Sequence, residues 1–285
     1  MNQRGGTFIP GSHPVEVAQH AATVTGSSRI IAAVGWPTHH LRTPTFFNAL
    51  CASRDIDALM VPWAVQGSDL KDVLDGLRRV ENLAGIVVAI PYKARAALLC
   101  DTLEGDAMAL KVVNAVRRNE NGSFTGRLYD GMAFVEGMVR QGVVLAGKRV
   151  LLIGAGGAAS AIALALARQG IAALTVTNRS QNKSRALLEQ VSKAAPGPDF
   201  NMGIPAASGH DVIINATSLG MQESDPLPCD LSDLKEGTVV ADVIMQPPVT
   251  RFLHEAARRG ALTHRGEHMV PAQLDYFLQF LLDQA

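Results

Sequence analysis

The residues best suited to chemistry in this 285-residue chain lie in one stretch, KRVLLIGAGGAASAIALALARQGIAALTVTNRS, residues 148–180. The apolar run 150–153 breaks into Gly154-Ala155-Gly156-Gly157-Ala158, turns helical, and is followed by a second apolar run that ends at Asn178-Arg179-Ser180. Strand, tight turn, helix, strand is the order of a nucleotide-binding βαβ unit. The glycines let backbone approach a pyrophosphate, and the N–H groups opening the helix face its negative charge. Ala159 replaces the last Gly of the G-x-G-x-x-G pattern and still allows close helix–strand packing. Alone, the pattern also reads as a tight turn between buried elements. The end of the second strand discriminates further: a carboxylate there would bond a ribose 2′-hydroxyl, whereas this chain has Arg179 and Ser180, with Lys183 close behind. Guanidinium and ammonium groups hold a 2′-phosphate, so the expected cofactor is NADP.

Two further strands are expected at 211–214 and 239–243, ending in the loops INATSLGM and VIMQPP. Ligands of open α/β sheets bind outside the carboxyl ends of strands, which places both loops at the cofactor. Asn215, Thr217 and Ser218 are candidate contacts there; a hydrogen-bonded turn explains them equally well.

These residues must be carried by a larger α/β framework. Strands are expected at 30–34, 57–63 and 85–90, almost wholly apolar as in a parallel sheet covered on both faces. Thr43-Pro44 starts a helix, Pro being tolerated at the first helical position. Ser68 is expected to cap a helix whose Leu70, Val73, Leu74, Leu77 and Val80 form one stripe. Asn121-Gly122 marks a hairpin, and a helix from about 131 to 141 leads into the glycine-rich unit. Leu274, Phe277, Leu278, Leu281 and Leu282 make the C-terminal stretch a helix docked on a core, its aromatics having no other evident task. Two α/β sheets follow from this alternation.

Composition excludes other classes. Lys+Arg 26 against Asp+Glu 26 gives no net field toward nucleic acid or membrane, and no basic block with interleaved aromatics suggests nucleic-acid contact. The uncharged run 150–167 is long enough to raise a membrane span, but its glycines and change of period favour a buried strand followed by a buried helix. The first residues lack the apolar core of a signal peptide. Cys51, Cys100 and Cys229 are odd in number and scattered, as expected of reduced thiols in the cytoplasm. His39-His40 is adjacent rather than ligand-spaced, so no metal is expected.

The segments GWPTHHLRTPTFFN, IPYK, VVNAV, YDGMAF, GAGGAASAIA, TNRS, NATSLGM, DVIMQPPVT and GEHMVPAQ together resemble the shikimate dehydrogenase family from about residue 30 onward. The polar, Gly- and Pro-containing residues 1–28 read as a flexible extension, and the resemblance implies a substrate domain at 29–131, a Rossmann NADP domain at 132–265, and a C-terminal helix at 266–285 returning to the substrate domain. It implies reversible hydride transfer between nicotinamide and a ring alcohol or ketone, with Lys93 and Asp130 matching the family's catalytic pair and Thr43, Asn114 and Gln273 its substrate contacts. Removing a hydroxyl proton, or polarising a ketone, is what such a pair supplies. Without the family, Lys93 reads as a solvated strand-end lysine and Asp130 as a helix N-cap; Asn114 and Gln273 read as residues satisfying local backbone. His40 matches a family histidine and reads as structural.

The departures bear on substrate. Leu41 stands where the family has a hydroxyl residue, Val87 and Ala89 replace its Asn and Thr, Leu128-Tyr129 replaces its Asn-Thr, and Met245 replaces a tyrosine. Each lost partner for a buried hydroxyl costs about 1–3 kcal/mol, so a small cyclic hydroxy acid other than shikimate is expected, less hydroxylated or more apolar at one end. Arg42 or Arg127 is available to take a carboxylate, or is simply a solvated charge. Shikimate or quinate with a rebuilt binding mode, a dehydrogenase of another class, and an NADPH-binding sensor are the alternatives. A homodimer is compatible with all of them.

Overall fold

The computed structural model describes residues 24–39 and 41–283. Most of the expected extension at 1–28 and the matched His40 therefore lie outside the described residues.

The first part runs β1 (Arg29–Gly35), α1 (Thr43–Ser53), β2 (Ala58–Ala64), α2 (Leu70–Leu77), β3 (Leu83–Val88), α3 (Lys93–Ala97), β4 (Thr102–Leu103), α4 (Asp106–Leu110), β5 (Ala115–Arg118), β6 (Phe124–Arg127) and α5 (Asp130–Arg140). Its sheet has the order β2-β1-β3-β5-β6-β4. β1, β2 and β3 are mutually parallel, and β5 alone runs against its neighbours β3 and β6. The hairpin at Asn121-Gly122 supplies that reversal, with Gly122 at φ +79°.

The second part runs β7 (Arg149–Ile153), α6 (Gly157–Ala167), β8 (Ala173–Thr177), α7 (Gln181–Ala194), β9 (Asp199–Met202), β10 (Val212–Asn215), β11 (Val239–Asp242), α8 (Arg251–Arg258) and β12 (Leu262–His264). All six strands are parallel in the order β12-β11-β10-β7-β8-β9. Strand order therefore reverses between β7 and β10, which is where an open sheet of this kind has its ligand crevice. The uncharged run 150–167 forms β7 and most of α6, and no helix among the described residues is long and apolar enough to cross a membrane.

The last helix, α9 (Val270–Leu282), returns to the first sheet. Its Leu274, Phe277, Leu278 and Leu281 pack with Ile31, Phe47 and Met60 from β1, α1 and β2. On the other face, Leu70, Leu74 and Leu77 join a core continuous through α5 and α6 into the second sheet. The two parts meet closely at Gly131, where a Cβ would collide with the Ala161 carbonyl.

Three local expectations need correction. Ser68 does not cap α2: the chain tightens into a 3₁₀ turn over Gly67–Asp69, and Asp69 precedes the helix without a side-chain cap. Val80 lies beyond the helix end, outside its buried stripe, and is exposed. β3 stops at Val88, leaving Ile90 in an exposed loop.

Candidate active site

Lys93 opens α3, directly after the carboxyl end of β3, and is positioned by its neighbour Tyr92. That ring is buried, and its hydroxyl donates to the Val65 carbonyl at 2.6 Å, anchoring the turn. Lys93 Nζ donates to Asp130 Oδ2 at 2.5 Å. Asp130 is the first residue of α5 and is not an N-cap; Tyr129 holds that place, without a side-chain cap. The carboxylate is instead fixed from three directions. Its Oδ1 accepts from Asn114 Nδ2 at 2.7 Å and from Gln273 Nε2 at 3.0 Å. Asn114 Oδ1 in turn accepts the Tyr129 backbone N–H at 2.9 Å, which sets its amide orientation. Residues from α3, the start of β5, α5 and α9 thus converge on one buried carboxylate, 180 positions apart in sequence from Lys93 to Gln273. The Lys93 and Asp130 side chains are 26% and 11% exposed, open enough to meet a ligand and too buried for a freely solvated pair.

Thr43 opens α1 beside Leu41 and makes no hydrogen bond to these four residues. Arg127 is already engaged: it holds Glu104 with Nε at 2.8 Å and donates to the Tyr129 hydroxyl at 3.3 Å. Arg42 is exposed and lies over the Phe46 ring of its own helix at 5.7 Å. Leu128 is buried in the apolar cluster that also holds Val113, Phe124 and Phe134. Tyr129 stacks on Tyr276 at 5.1 Å, an aromatic pair that gives the C-terminal helix a task beside the site. Burial pushes the Tyr129 phenol above its ordinary range, keeping it protonated. No sequence spacing announces the Tyr129–Tyr276 or Arg127–Glu104 partnerships, because both are made across separate elements. Met245 lies on the loop after β11, partly exposed.

The second half of the site is the crevice at the strand-order reversal. Gly154, at φ +116°, leaves β7 so close to the β10 loop that a Cβ would stand 2.9 Å from the Ala216 carbonyl oxygen. At Gly156 and Gly157 a Cβ would meet nothing within 4 Å, so the backbone there borders open space. Gly157 and Ala158 begin α6, preceded by extended Gly156 with no side-chain cap, and Ala155 sits in the turn between. This cradle fits a pyrophosphate. Asn178 donates its amide to the Ser180 carbonyl at 3.1 Å, shaping the turn that ends in Ser180, the N-cap of α7. Arg179 and Lys183 are exposed around that helix start, as a 2′-phosphate site requires.

Asn215 takes the structural alternative. It is fully buried, donates to the Leu219 carbonyl at 2.9 Å and to Asp242 at 3.2 Å, and accepts from the Thr217 N–H and hydroxyl. Asn215 and the Thr217 hydroxyl therefore build the loop, while Ser218 is exposed on its rim. The sequence reading missed Asp242, which backs this loop. Burial pushes its carboxyl up to about 6, against the Ile244 N–H, the Thr250 hydroxyl and the Asn215 amide that donate to it. A cavity of about 860 Å³ lies elsewhere, at the amino ends of β7, β10 and β11, and shares none of these residues.

Comparison with known proteins finds similar chains. A family model for the shikimate dehydrogenase substrate binding domain matches residues 33–116, and one for shikimate / quinate 5-dehydrogenase matches residues 138–222. The shikimate dehydrogenase (NADP(+)) of Geobacter metallireducens is 33% identical over 258 residues, 88% of this chain and 90% of that protein. Among solved structures, the ligand-free 5-ketofructose reductase of Gluconobacter sp. strain CHM43 superposes with a TM-score of 0.82 at 30% identity, covering 90% of this chain and 94% of that one. A shikimate dehydrogenase in complex with NADP+ superposes with a TM-score of 0.85 at 26% identity, covering 92% and 93%.

Proposed function

The chain belongs to the shikimate dehydrogenase family, whose members are NADP-dependent oxidoreductases acting on CH–OH groups. From that premise we propose that it interconverts a ring alcohol and its ketone on a small hydroxylated substrate other than shikimate, with Lys93 and Asp130 as its catalytic residues. The observation that carries this is the Lys93–Asp130 contact, with Asn114 and Gln273 locking the carboxylate.

NADP supplies the hydride donor or acceptor when bound. The chain's own residues govern the oxygen and its proton. Lys93 has three N–H donors and gives one to Asp130, leaving two for a substrate oxygen. In the reducing direction the ammonium polarises the carbonyl and neutralises the developing alkoxide; in the oxidising direction the pair receives the hydroxyl proton. Asn114 and Gln273 hold Asp130 so that Lys93 is aimed before substrate arrives. Gly154, Gly156 and Gly157 admit the pyrophosphate, and Arg179, Ser180 and Lys183 hold the 2′-phosphate.

Shikimate itself is the second reading, favoured by the name of the Geobacter metallireducens relative. The name of the Gluconobacter relative supports a carbonyl substrate outside the ring acids. The three cysteines are free thiols, with burial pushing Cys51 up to about 11 and Cys100 and Cys229 up to about 12. Thiols kept protonated in this way suit a reducing compartment such as the cytoplasm. The test is NADP+ reduction across a panel of ring alcohols. Turnover that vanishes in Lys93→Ala while NADPH binding persists supports the reading; cofactor binding without turnover of any substrate points to an NADPH sensor.

A further inference from the structure

We propose that the cavity of about 860 Å³ at the amino ends of β7, β10 and β11 is a second ligand site, for a small hydroxylated oxyanion, separate from the nucleotide crevice. The inference does not rest on the chemistry proposed above.

The cavity lies at the opposite end of the second sheet from the crevice, and both segments by which the chain passes between its two parts border it. Residues 141–144 and Lys148 come from the passage between α5 and β7, and His264 and His268 from the end of β12 and the passage into α9. An occupant therefore touches both passages. The volume is that of a small-molecule site, and the wall has the mixture such sites use, with Val212, Val239 and Leu262 beside a few polar groups.

Charge selects the class of ligand. Lys148, Arg149 and Lys235 line the cavity, and among the described residues none of their side chains has an ion-pair or hydrogen-bond partner. Two carboxylates share the wall without cancelling them. Asp211 Oδ2 accepts the Arg149 backbone N–H at 2.8 Å and leaves the guanidinium unpaired. Glu236 Cγ lies 3.1 Å from where a Cβ on Gly260 would stand, so its stem is turned toward the connection between α8 and β12. Burial, with the Arg149 charge, pushes His210 below its ordinary range, so this half-buried ring joins the wall neutral. The three cations outnumber the two carboxylates, and an oxyanion would neutralise the excess.

A second observation comes from His264, which lines the cavity and is 2% exposed. Its Nδ1 lies 3.2 Å from His268 Nδ1, and its Nε2 is buried with no hydrogen-bond partner among the described residues. Burial keeps both rings neutral, so each carries one N–H and one of the two donates in the Nδ1–Nδ1 contact. When His268 donates, His264 carries its proton on Nε2 and offers it to an oxyanion. When His264 donates, its Nε2 accepts from a hydroxyl. A ligand with both groups meets either arrangement, whereas a buried ring nitrogen left unpaired is costly.

Citrate and glucose 6-phosphate carry the two oxyanion types on hydroxylated frames, and glucose carries hydroxyls alone. Each is titrated calorimetrically, at constant ionic strength, into the full chain saturated with NADPH so that the nucleotide crevice is occupied. At least one anion is expected to bind with a Kd of about 1 mM or tighter and to raise the melting temperature, and glucose to do neither; the anion preferred tells carboxylate from phosphate. Lys148→Ala, Arg149→Gln and His264→Phe are each expected to weaken the anion about tenfold, while Lys93→Ala and Arg179→Gln bind it as the wild type does. Should His264→Phe not fold, the two cationic variants decide. The inference is overturned if neither anion binds, if glucose binds equally well, if affinity is unchanged in both Lys148→Ala and Arg149→Gln, or if it is lost in Lys93→Ala or Arg179→Gln, which would put the anion in the crevice. The readout is binding, so absence of dehydrogenase turnover leaves this test intact.

Discussion

The two halves of the site are built by different means. Around Asp130, side chains from separate elements hold one another in place, and both oxygens of the buried carboxylate are hydrogen-bonded. Around Gly154 the work falls to backbone and to space, with exposed Arg179 and Lys183 as the charged groups. In the proposed function the first half would set the position of a proton donor to within a hydrogen bond, and the second would admit a large anionic group that brings its own rigidity. Loss of one group in the first half should therefore disable turnover, whereas a change in the second should alter which cofactor binds and how tightly.

Lys93→Ala tests the sharper half. Its kcat is expected to fall about 10³-fold, within the range ascribed to general acid–base groups, while the NADPH dissociation constant measured by fluorescence titration stays within about twofold. A comparable loss of cofactor affinity would show that the two halves are not separable.

The glycines test the other half from within. Gly154→Ala combines a positive φ with a Cβ 2.9 Å from the Ala216 carbonyl oxygen, and is expected to destabilise the fold by about 1–3 kcal/mol, read as a lower denaturant midpoint. Gly157→Ala meets nothing within 4 Å, so its midpoint should stay unchanged while NADPH binding weakens about tenfold. Equal stability losses at both positions would contradict the open cradle.

Arg179→Gln should weaken NADPH binding by about 10- to 100-fold, the value of one or two charge-assisted hydrogen bonds, and leave NADH binding unchanged. Parallel loss for both cofactors would place the arginine's role elsewhere.

The smallest effect lies outside both halves and serves as their control. His264, at the end of β12, packs edge-on against Phe134, and burial, with His268 and Arg265 nearby, pushes its pKa down to about 3. A histidine that folds neutral and unfolds with a pKa near 6.5 contributes stability that is present above 6.5 and is lost as pH falls toward 3. In His264→Phe the melting temperature should drop less between pH 7.5 and pH 4.5 than in wild type, with kcat at pH 7.5 little changed.

Much of this was legible in the residues. The alternation of apolar runs and helical stripes points to two α/β sheets, and the TNRS segment to an NADP cofactor. The misreadings share a cause. Ser68, Val80 and Ile90 each sit at an element boundary, where capping and tertiary contacts override local pattern. Leu128 and Tyr129 are adjacent in the chain, yet in the turn between β6 and α5 they join different apolar clusters. Asn215 was balanced between two roles, and only its burial against Asp242 resolves them.

The sequence by itself determined the elements, the glycine cradle, and the chemical types at Lys93 and Asp130, because helical and strand periods and turn chemistry are local properties of the chain. Only the tertiary structure decided that Asn114 and Gln273 clamp Asp130 and that Arg127 is engaged by Glu104. Those contacts join residues tens to more than a hundred positions apart, and no period in a sequence encodes which of its distant members will meet.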